Sequence, residues 1–513
     1  MRQKRGGLAG SFAALRKPYN LAFIAIVVYA LLYSVVFVGG PSYYGDDSVY
    51  LNYAYQVVHG TFTEHSGDIF SVRLLTILPI ALFYKTFGVG LMTDSAWDIA
   101  SFIGLIAVAF LMGKELYDER AGVVAALLTS FFPMIVMLSA TPSDDIPMAF
   151  VTALAMLALL YGERRDSGRW YFASGLLLLA SGLVTPEGFI ICVVAMAYVA
   201  IEFLRKRIAI SGTTLMLPAG VAFAFMLIVF VNSFYSNPLI TFTLNSHFYS
   251  AVGGNDTIPS TNTNPMYYIN VMFPPNALNF SGFFFYALIA AAIYLVVVRP
   301  DGTYFVLFYF LAAFLYLEFG PMHISLHPFS YLLSYRLQRF MTLIAAPLAV
   351  AIGIAVSDVA ARSGKTRMRL FAYALLALLI FMIILNAAAI NLTWYRVLSY
   401  ERYDQLQAAE FLGRMPNSTI IYFADAYPNI PIYMGFNNMS RFRPYFALTN
   451  CSFVSAGAYV VAPALPQNGI NYSKFASACG GWMEINYTQP DSVPPQQIDN
   501  IGGFSELAVY RVK

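Results

Sequence analysis

Long apolar runs separated by short polar gaps recur from residue 21 to residue 390. They approach the roughly 20 residues that carry a helix across about 30 Å of hydrocarbon at about 1.5 Å per residue. The pattern predicts eleven crossings, at 21–38, 95–113, 122–138, 147–161, 170–184, 189–203, 215–231, 282–298, 304–317, 340–356 and 370–390. A secretory signal peptide is the competing reading of 21–38, but its apolar region runs only about 7 to 15 residues, so the segment is expected to remain as a span. Beyond residue 390 the pattern changes. Helical spacing covers 401–415, while 419–424, 458–462 and 506–512 read as strands. The expected fold is an all-α polytopic membrane bundle of about 11 transmembrane helices over 1–390, followed by a small exposed α/β domain over 391–513.

Composition agrees with that layout. With 59% apolar, 16% aromatic and 11% charged residues in 513, the chain carries more hydrocarbon than one water-soluble core can bury, and the surplus must face lipid. The net charge of +3 is too small to suggest nucleic acid, but the cations are unevenly placed. Eighteen of the 30 fall in alternate short gaps, among them Arg16, Lys17, Lys114, Arg120, Arg164, Arg165, Arg205, Arg207, Arg362 and Arg369. The positive-inside rule assigns those gaps, and the N-terminus, to the cytoplasm. Only Arg73, Lys85, Arg336 and Arg339 fall in the complementary gaps. Sequons at Asn255, Asn279, Asn391, Asn417, Asn438, Asn450, Asn471 and Asn486 all lie on the side so assigned as external, which is where such sites are used. The C-terminal domain is thus expected outside the cytoplasm. There an oxidising compartment would join Cys451 to Cys479, with free thiols as the alternative, whereas Cys192 reads as inert and lipid-buried.

One apolar stretch breaks the alternation. Residues 72–87 contain Arg73, Pro79 and Lys85, and as a helix they would be only about 24 Å long. Counting them as a crossing would turn every later basic gap outward. They are therefore read as a helix lying in or dipping into the interface, within an outer loop spanning 39–94.

Two acid pairs stand at span ends on the external side. Asp46 and Asp47 follow the first exit, within Tyr43, Tyr44, Gly45, Asp46, Asp47, Ser48. Asp144 and Asp145 close the next outer turn, ahead of Pro147. A carboxylate at that depth is costly unless solvated, paired or used, and is a functional candidate for that reason; a wetted loop end is the plain alternative.

These residues resemble the GT-C superfamily of membrane glycosyltransferases, specifically the group with the protein O-mannosyltransferases and the lipid A aminoarabinose transferase. The similarity runs through Asp46, Asp47, Tyr50, Ala54, Gly60, Arg73, Phe87 and Gly88, continues at Asp145 and Pro147, and is looser near Gly122 and over 336–347. Leu74 and Leu75 stand where many relatives have two prolines after the basic residue, and the Trp-Trp-Asp-Tyr-Gly signature of oligosaccharyltransferases is absent, which argues against transfer of a whole glycan to Asn. The resemblance implies an inverting transfer of a monosaccharide, hexosyl or pentosyl, from a polyprenyl- or dolichyl-phosphate donor to a hydroxyl on a protein, lipid or glycan acceptor. It further implies no resident metal or other cofactor. Asp46 would be the base that takes the acceptor proton. Asp47, Asp144 and Asp145 would orient acceptor or sugar hydroxyls. Arg73, helped by Arg336 or Arg339, would hold the lipid phosphate, because guanidinium matches phosphate with paired donors; the plain alternative for all three is snorkelling to headgroups.

All five histidines, His59, His65, His247, His323 and His327, fall in outer loops. The spacing of His323 and His327 would suit a metal on a helix, but Pro321 and Pro328 flank them and disfavour one. A transporter or flippase is the rival function. It should show charged or broken spans at the bilayer midplane in matching halves, and the acids here crowd one face instead. A glycan-binding protein that keeps the fold without turnover is the third reading.

Overall fold

The computed structural model describes residues 18–37, 47–62, 69–139, 141–209, 211–234, 237–244, 266–272, 283–300, 302–326, 329–333, 338–362, 366–424, 429–436, 439–445, 455–463, 482–486 and 507–512. Asp46, Arg336, Cys451 and Cys479 lie outside them, as do His65, His247 and His327.

Each of the eleven predicted crossings is a helix or part of one. They are α1 (Pro18–Val36), α5 (Ala96–Leu116), α6 (Glu119–Phe131) with α7 (Pro133–Ser139), α8 (Asp145–Arg165), α9 (Gly168–Ala180), α10 (Phe189–Leu204), α11 (Met216–Ser233), α13 (Phe284–Val298), α14 (Thr303–Phe319), α15 (Thr342–Arg362) and α16 (Thr366–Gly413). The shorter α2 (Asp47–His59), α3 (Leu74–Phe87), α4 (Leu91–Asp94) and α12 (Tyr267–Met272) complete the helices used below. By length and apolarity six described helices can cross a membrane, or seven if α6 and α7, bent by 61°, form one span. The break falls at Phe132, which is extended ahead of Pro133, as the residue before a proline prefers. The predicted crossings at 282–298, 304–317 and 370–390 fall on shorter apolar helices, and that at 170–184 on the 13-residue α9, so eleven remains an expectation.

Two compact units emerge. The first comprises Met1–Val36, Thr63–Thr76 and Trp97–Leu392. Its centre is α15 and α8, whose apolar stretches are 94% and 83% buried, against 17% for α1 and 28% for α11. The outer helices turn Leu32, Val36, Phe223, Met226 and Phe230 outward, a surface only lipid would cover favourably. Small residues set the closest helix contacts: a Cβ on Gly175 of α9 would lie 2.1 Å from the Leu217 carbonyl oxygen, and one on Gly220 of α11 would lie 2.2 Å from that of Phe172. Membrane helices use such positions to bring backbones together.

The second unit comprises Phe37–Phe62, Ile77–Ala96 and Thr393–Lys513. It carries a five-stranded sheet in the order β4 (Phe442–Tyr445), β3 (Ile421–Ala424), β5 (Tyr459–Pro463), β7 (Leu507–Val512), β6 (Trp482–Asn486). The first two pairings are parallel and the last two antiparallel. Ile421, Val460, Val461 and Val509 are buried in it, with Ala408 and Leu412 of α16. Also in this unit, α17 (Asn429–Tyr433) packs with α2, and Tyr55 stacks on Phe436 at 4.3 Å. The expected helix over 401–415 is the continuation of α16, because no Gly or Pro interrupts the sequence between Asn391 and Gly413. Two further strands, β1 (Pro321–Leu326) and β2 (Phe329–Leu333), form an unexpected antiparallel pair, with His323 on β1.

Candidate functional site

The two ends of the α5–α8 pair differ in kind. At one end Arg164 donates to the Glu115 carbonyl and Arg165 pairs with the Glu115 carboxylate at 3.2 Å. Beside them Lys114 pairs with Glu119 at 2.9 Å, and Asp118 accepts from the Ala121 N–H at 2.7 Å to cap α6. At the other end lie the first turns of α5 and α8 and the segment between α7 and α8, and there the charges are buried.

Asp144 ends that segment and Asp145 opens α8, where a carboxylate is favoured by the helix dipole. They are 3% and 1% exposed, too deep to remain ionised without partners. Each has an arginine from a different part of the chain. The Arg73 guanidinium donates to Asp144 from the position between the 3-10 turn Ile69–Val72 and α3. Its local backbone is fixed by an N–H bond to the Phe70 carbonyl at 3.2 Å and by the Thr76 N–H to its own carbonyl at 3.0 Å. The guanidinium also lies over the Phe70 ring, 4.9 Å from its centroid. Arg339, on the 3-10 turn Gln338–Met341 that leads into α15, places Nε 3.6 Å from Asp145 Oδ2. One chain turn thus holds two neighbouring carboxylates, each ion-paired.

A third acid joins this end. Asp98, in the first turn of α5, is fully buried, and its Oδ1 accepts from the Ser143 N–H at 3.1 Å and the Ser143 Oγ at 3.2 Å. Nearby, the Thr76 hydroxyl donates to the Val184 carbonyl at 3.2 Å, and the Thr185 hydroxyl donates to Glu187. In the second unit Asp47 opens α2 and is itself buried. Also in that unit, Asp94 accepts from the Tyr84 hydroxyl at 2.6 Å, and burial pushes its carboxyl up to about 7 although the tyrosine pulls the other way.

Of the residues expected to form a site, Arg73 meets Asp144 and Arg339 meets Asp145, while Asp47 stands in the other unit. Asp98 and Asp94 were missed. The signal for Asp98 is an acid at the start of an apolar span. Asp94 sat in the outer loop, where an acid is unremarkable until burial is known. Among the described residues no group of three or more His, Cys, Asp or Glu is placed to hold a metal ion. What the arrangement offers chemically is a pair of guanidinium groups suited to an anion, beside carboxylates able to accept hydroxyl hydrogen bonds.

Residues 74–234 match the family model described as dolichyl-phosphate-mannose-protein mannosyltransferase. By sequence, no curated protein matches the chain. Among solved structures, ArnT from Cupriavidus metallidurans in the apo state is 14% identical with a TM-score of 0.61, covering 99% of both chains. The same ArnT bound to undecaprenyl phosphate is 14% identical with a TM-score of 0.61, over 95% of this chain and 98% of ArnT. An oligosaccharyltransferase of Archaeoglobus fulgidus, tethered with an acceptor peptide containing the NVT sequon, is 15% identical with a TM-score of 0.54, over 88% of this chain and 70% of that one. The chain carries the GT-C fold of membrane glycosyltransferases.

Proposed function

We propose, from the GT-C fold, that this chain is an inverting glycosyltransferase. In this reading it moves a monosaccharide from a polyprenyl- or dolichyl-phosphate donor to a hydroxyl acceptor at the external face of the membrane. The observation that carries the reading is the buried turn in which Asp144 pairs with Arg73 and Asp145 with Arg339. A flippase is expected to carry charged or broken spans at the bilayer midplane in matching halves, whereas these arginine-paired carboxylates gather at one end of a bundle. A transferase needs cations for a departing phosphate and carboxylates for sugar and acceptor hydroxyls.

The proposed step is a single displacement. The acceptor oxygen attacks the anomeric carbon, the bond from that carbon to the phosphate oxygen breaks, and its electron pair leaves with the lipid phosphate. The acceptor proton passes to the Asp46 carboxylate, the base implied by resemblance, within hydrogen-bond reach in the reacting complex. Arg73 and Arg339, with Arg336, neutralise the charge that builds on the phosphate. Asp47, Asp144 and Asp145 orient hydroxyls. No resident metal takes part, so transfer is expected to survive EDTA. The N-terminus lies in the cytoplasm, and the region 391–513 lies outside it, where it helps select the acceptor.

The test is transfer of label from a polyprenyl-phosphate sugar in membranes holding the protein. Asp46→Asn is expected to cost about 10²–10⁴-fold in rate, the usual worth of a positioned base. Full activity in that variant would remove Asp46 from the role, and lipid movement across the bilayer without sugar transfer would favour the flippase.

A further inference from the structure

Asp98 lies on α5, an element that supplies neither arginine nor either acid of the paired turn. It is fully buried at the start of an apolar helix, and the proposed reaction gives it no task. Both hydrogen bonds it accepts through Oδ1 come from one residue, Ser143: the backbone N–H at 3.1 Å and the hydroxyl at 3.2 Å. Ser143 immediately precedes Asp144. Fixing its backbone and its side chain together therefore fixes the direction in which the chain enters α8.

The bonds of Thr141 and Met148, on either side of Ser143, are local. Thr141 is satisfied backward, its N–H and its hydroxyl both reaching the Leu138 carbonyl at 3.2 Å. The Met148 N–H bonds the Asp144 carbonyl at 3.0 Å, which belongs to α8 itself. Asp98 is a link from a different helix, and donors to a buried carboxylate make the stronger kind of hydrogen bond.

We propose that Asp98 is a positioning residue for the transfer site: by holding Ser143 it sets Asp144 against Arg73 and Asp145 against Arg339. This rests on the functional reading above. Asp98 acts through the turn by way of Ser143, so its effect is geometric. A displacement of about 1 Å at reacting groups is enough to lower a rate on the order of 10²-fold.

Three variants separate this role from a merely structural one. Asp98→Ala removes the acceptor, Asp98→Asn keeps an acceptor oxygen where Oδ1 stands, and Ser143→Ala removes one of the two donors. Purified full-length protein is followed by label transfer from a polyprenyl-phosphate sugar and by hydrogen exchange over peptides containing Ser143. The expected result is faster exchange at Ser143 in Asp98→Ala, with kcat lower by about 10²-fold. Asp98→Asn is expected near the wild type in both measures, and Ser143→Ala between the two in rate. Equal loss in Asp98→Asn and Asp98→Ala would overturn the proposal, as would unchanged Ser143 exchange or unchanged transfer in Asp98→Ala. Each of those results leaves the transferase reading standing. No transfer by the wild type from any polyprenyl-phosphate sugar overturns the transferase reading, and the positioning role with it.

Discussion

Arg73 and Asp144 form a buried pair whose contribution to stability can be separated from its proposed part in the chemistry. Each charge is costly to bury, and each is tolerated because the other is present. Arg73→Ala removes the guanidinium from Asp144 and is expected to cost about 3–5 kcal/mol, the usual cost of breaking such a pair, read as a lower midpoint of thermal unfolding in detergent. Replacing both residues by leucine should recover most of that stability, since apolar side chains can stand in for a buried pair, yet transfer should remain lost. Recovery of transfer in the double variant would show the pair to be scaffold only. Arg73→Lys should fall between, keeping the charge but losing the paired donors. At this scale the sequence was partly legible. Asp144 and Asp145 stood out because acids at a span end are expensive, and Arg73 because cations are rare on that side of the chain. Their pairing was not legible, because 71 positions separate Arg73 from Asp144 and only the packed helices bring them together.

Among the elements, α3 and α4 hold a buried switch of proton affinity. Asp94 at the end of α4 is 1% exposed and accepts from Tyr84 of α3, with its carboxyl raised to about 7. An unfolded aspartate titrates near 3.9, so between about pH 4 and 7 the folded protein holds the extra proton. Stability from this group is therefore full below about pH 4 and declines as pH rises through about 7. Asp94→Asn should flatten the fall in unfolding temperature over that range and leave the protein more stable than wild type at pH 8. An unaltered pH profile would contradict the assignment. A second test concerns α9 and α11, where Gly175→Ala drives a methyl into the Leu217 carbonyl. Loss of about 1–3 kcal/mol is expected, the common cost of overpacking, measured by detergent-phase unfolding. Every predicted span has its helix because hydrophobic runs of that length have few alternatives. The strands Pro321–Leu326 and Phe329–Leu333 went unread because the spacing of His323 and His327 was weighed only against a helix, which Pro321 and Pro328 disfavour, and β4 because Pro444 lies inside it. The unbroken α16 was missed by treating a change in composition at Asn391 as an end, although nothing there stops a helix.

For the whole molecule the sequence and the fold agree on a polytopic membrane protein of the GT-C fold, and under the proposed function the buried charges at one end of α5 and α8 would meet an anionic lipid carrier. The basic residues at the opposite end, Lys114, Arg164 and Arg165 among them, are those the positive-inside rule assigns to the cytoplasm, so the paired turn is expected on the external side. Cysteine introduced at Ser143 should then be out of reach of an impermeant reagent from the cytoplasm. The central claim is that the paired turn serves sugar transfer from a lipid phosphate, and the most direct measurement is label transfer from a polyprenyl-phosphate sugar in proteoliposomes, comparing the wild type with the double leucine variant at Arg73 and Asp144. The account predicts transfer by the wild type and none by a variant of near-normal stability; equal transfer by both would contradict it.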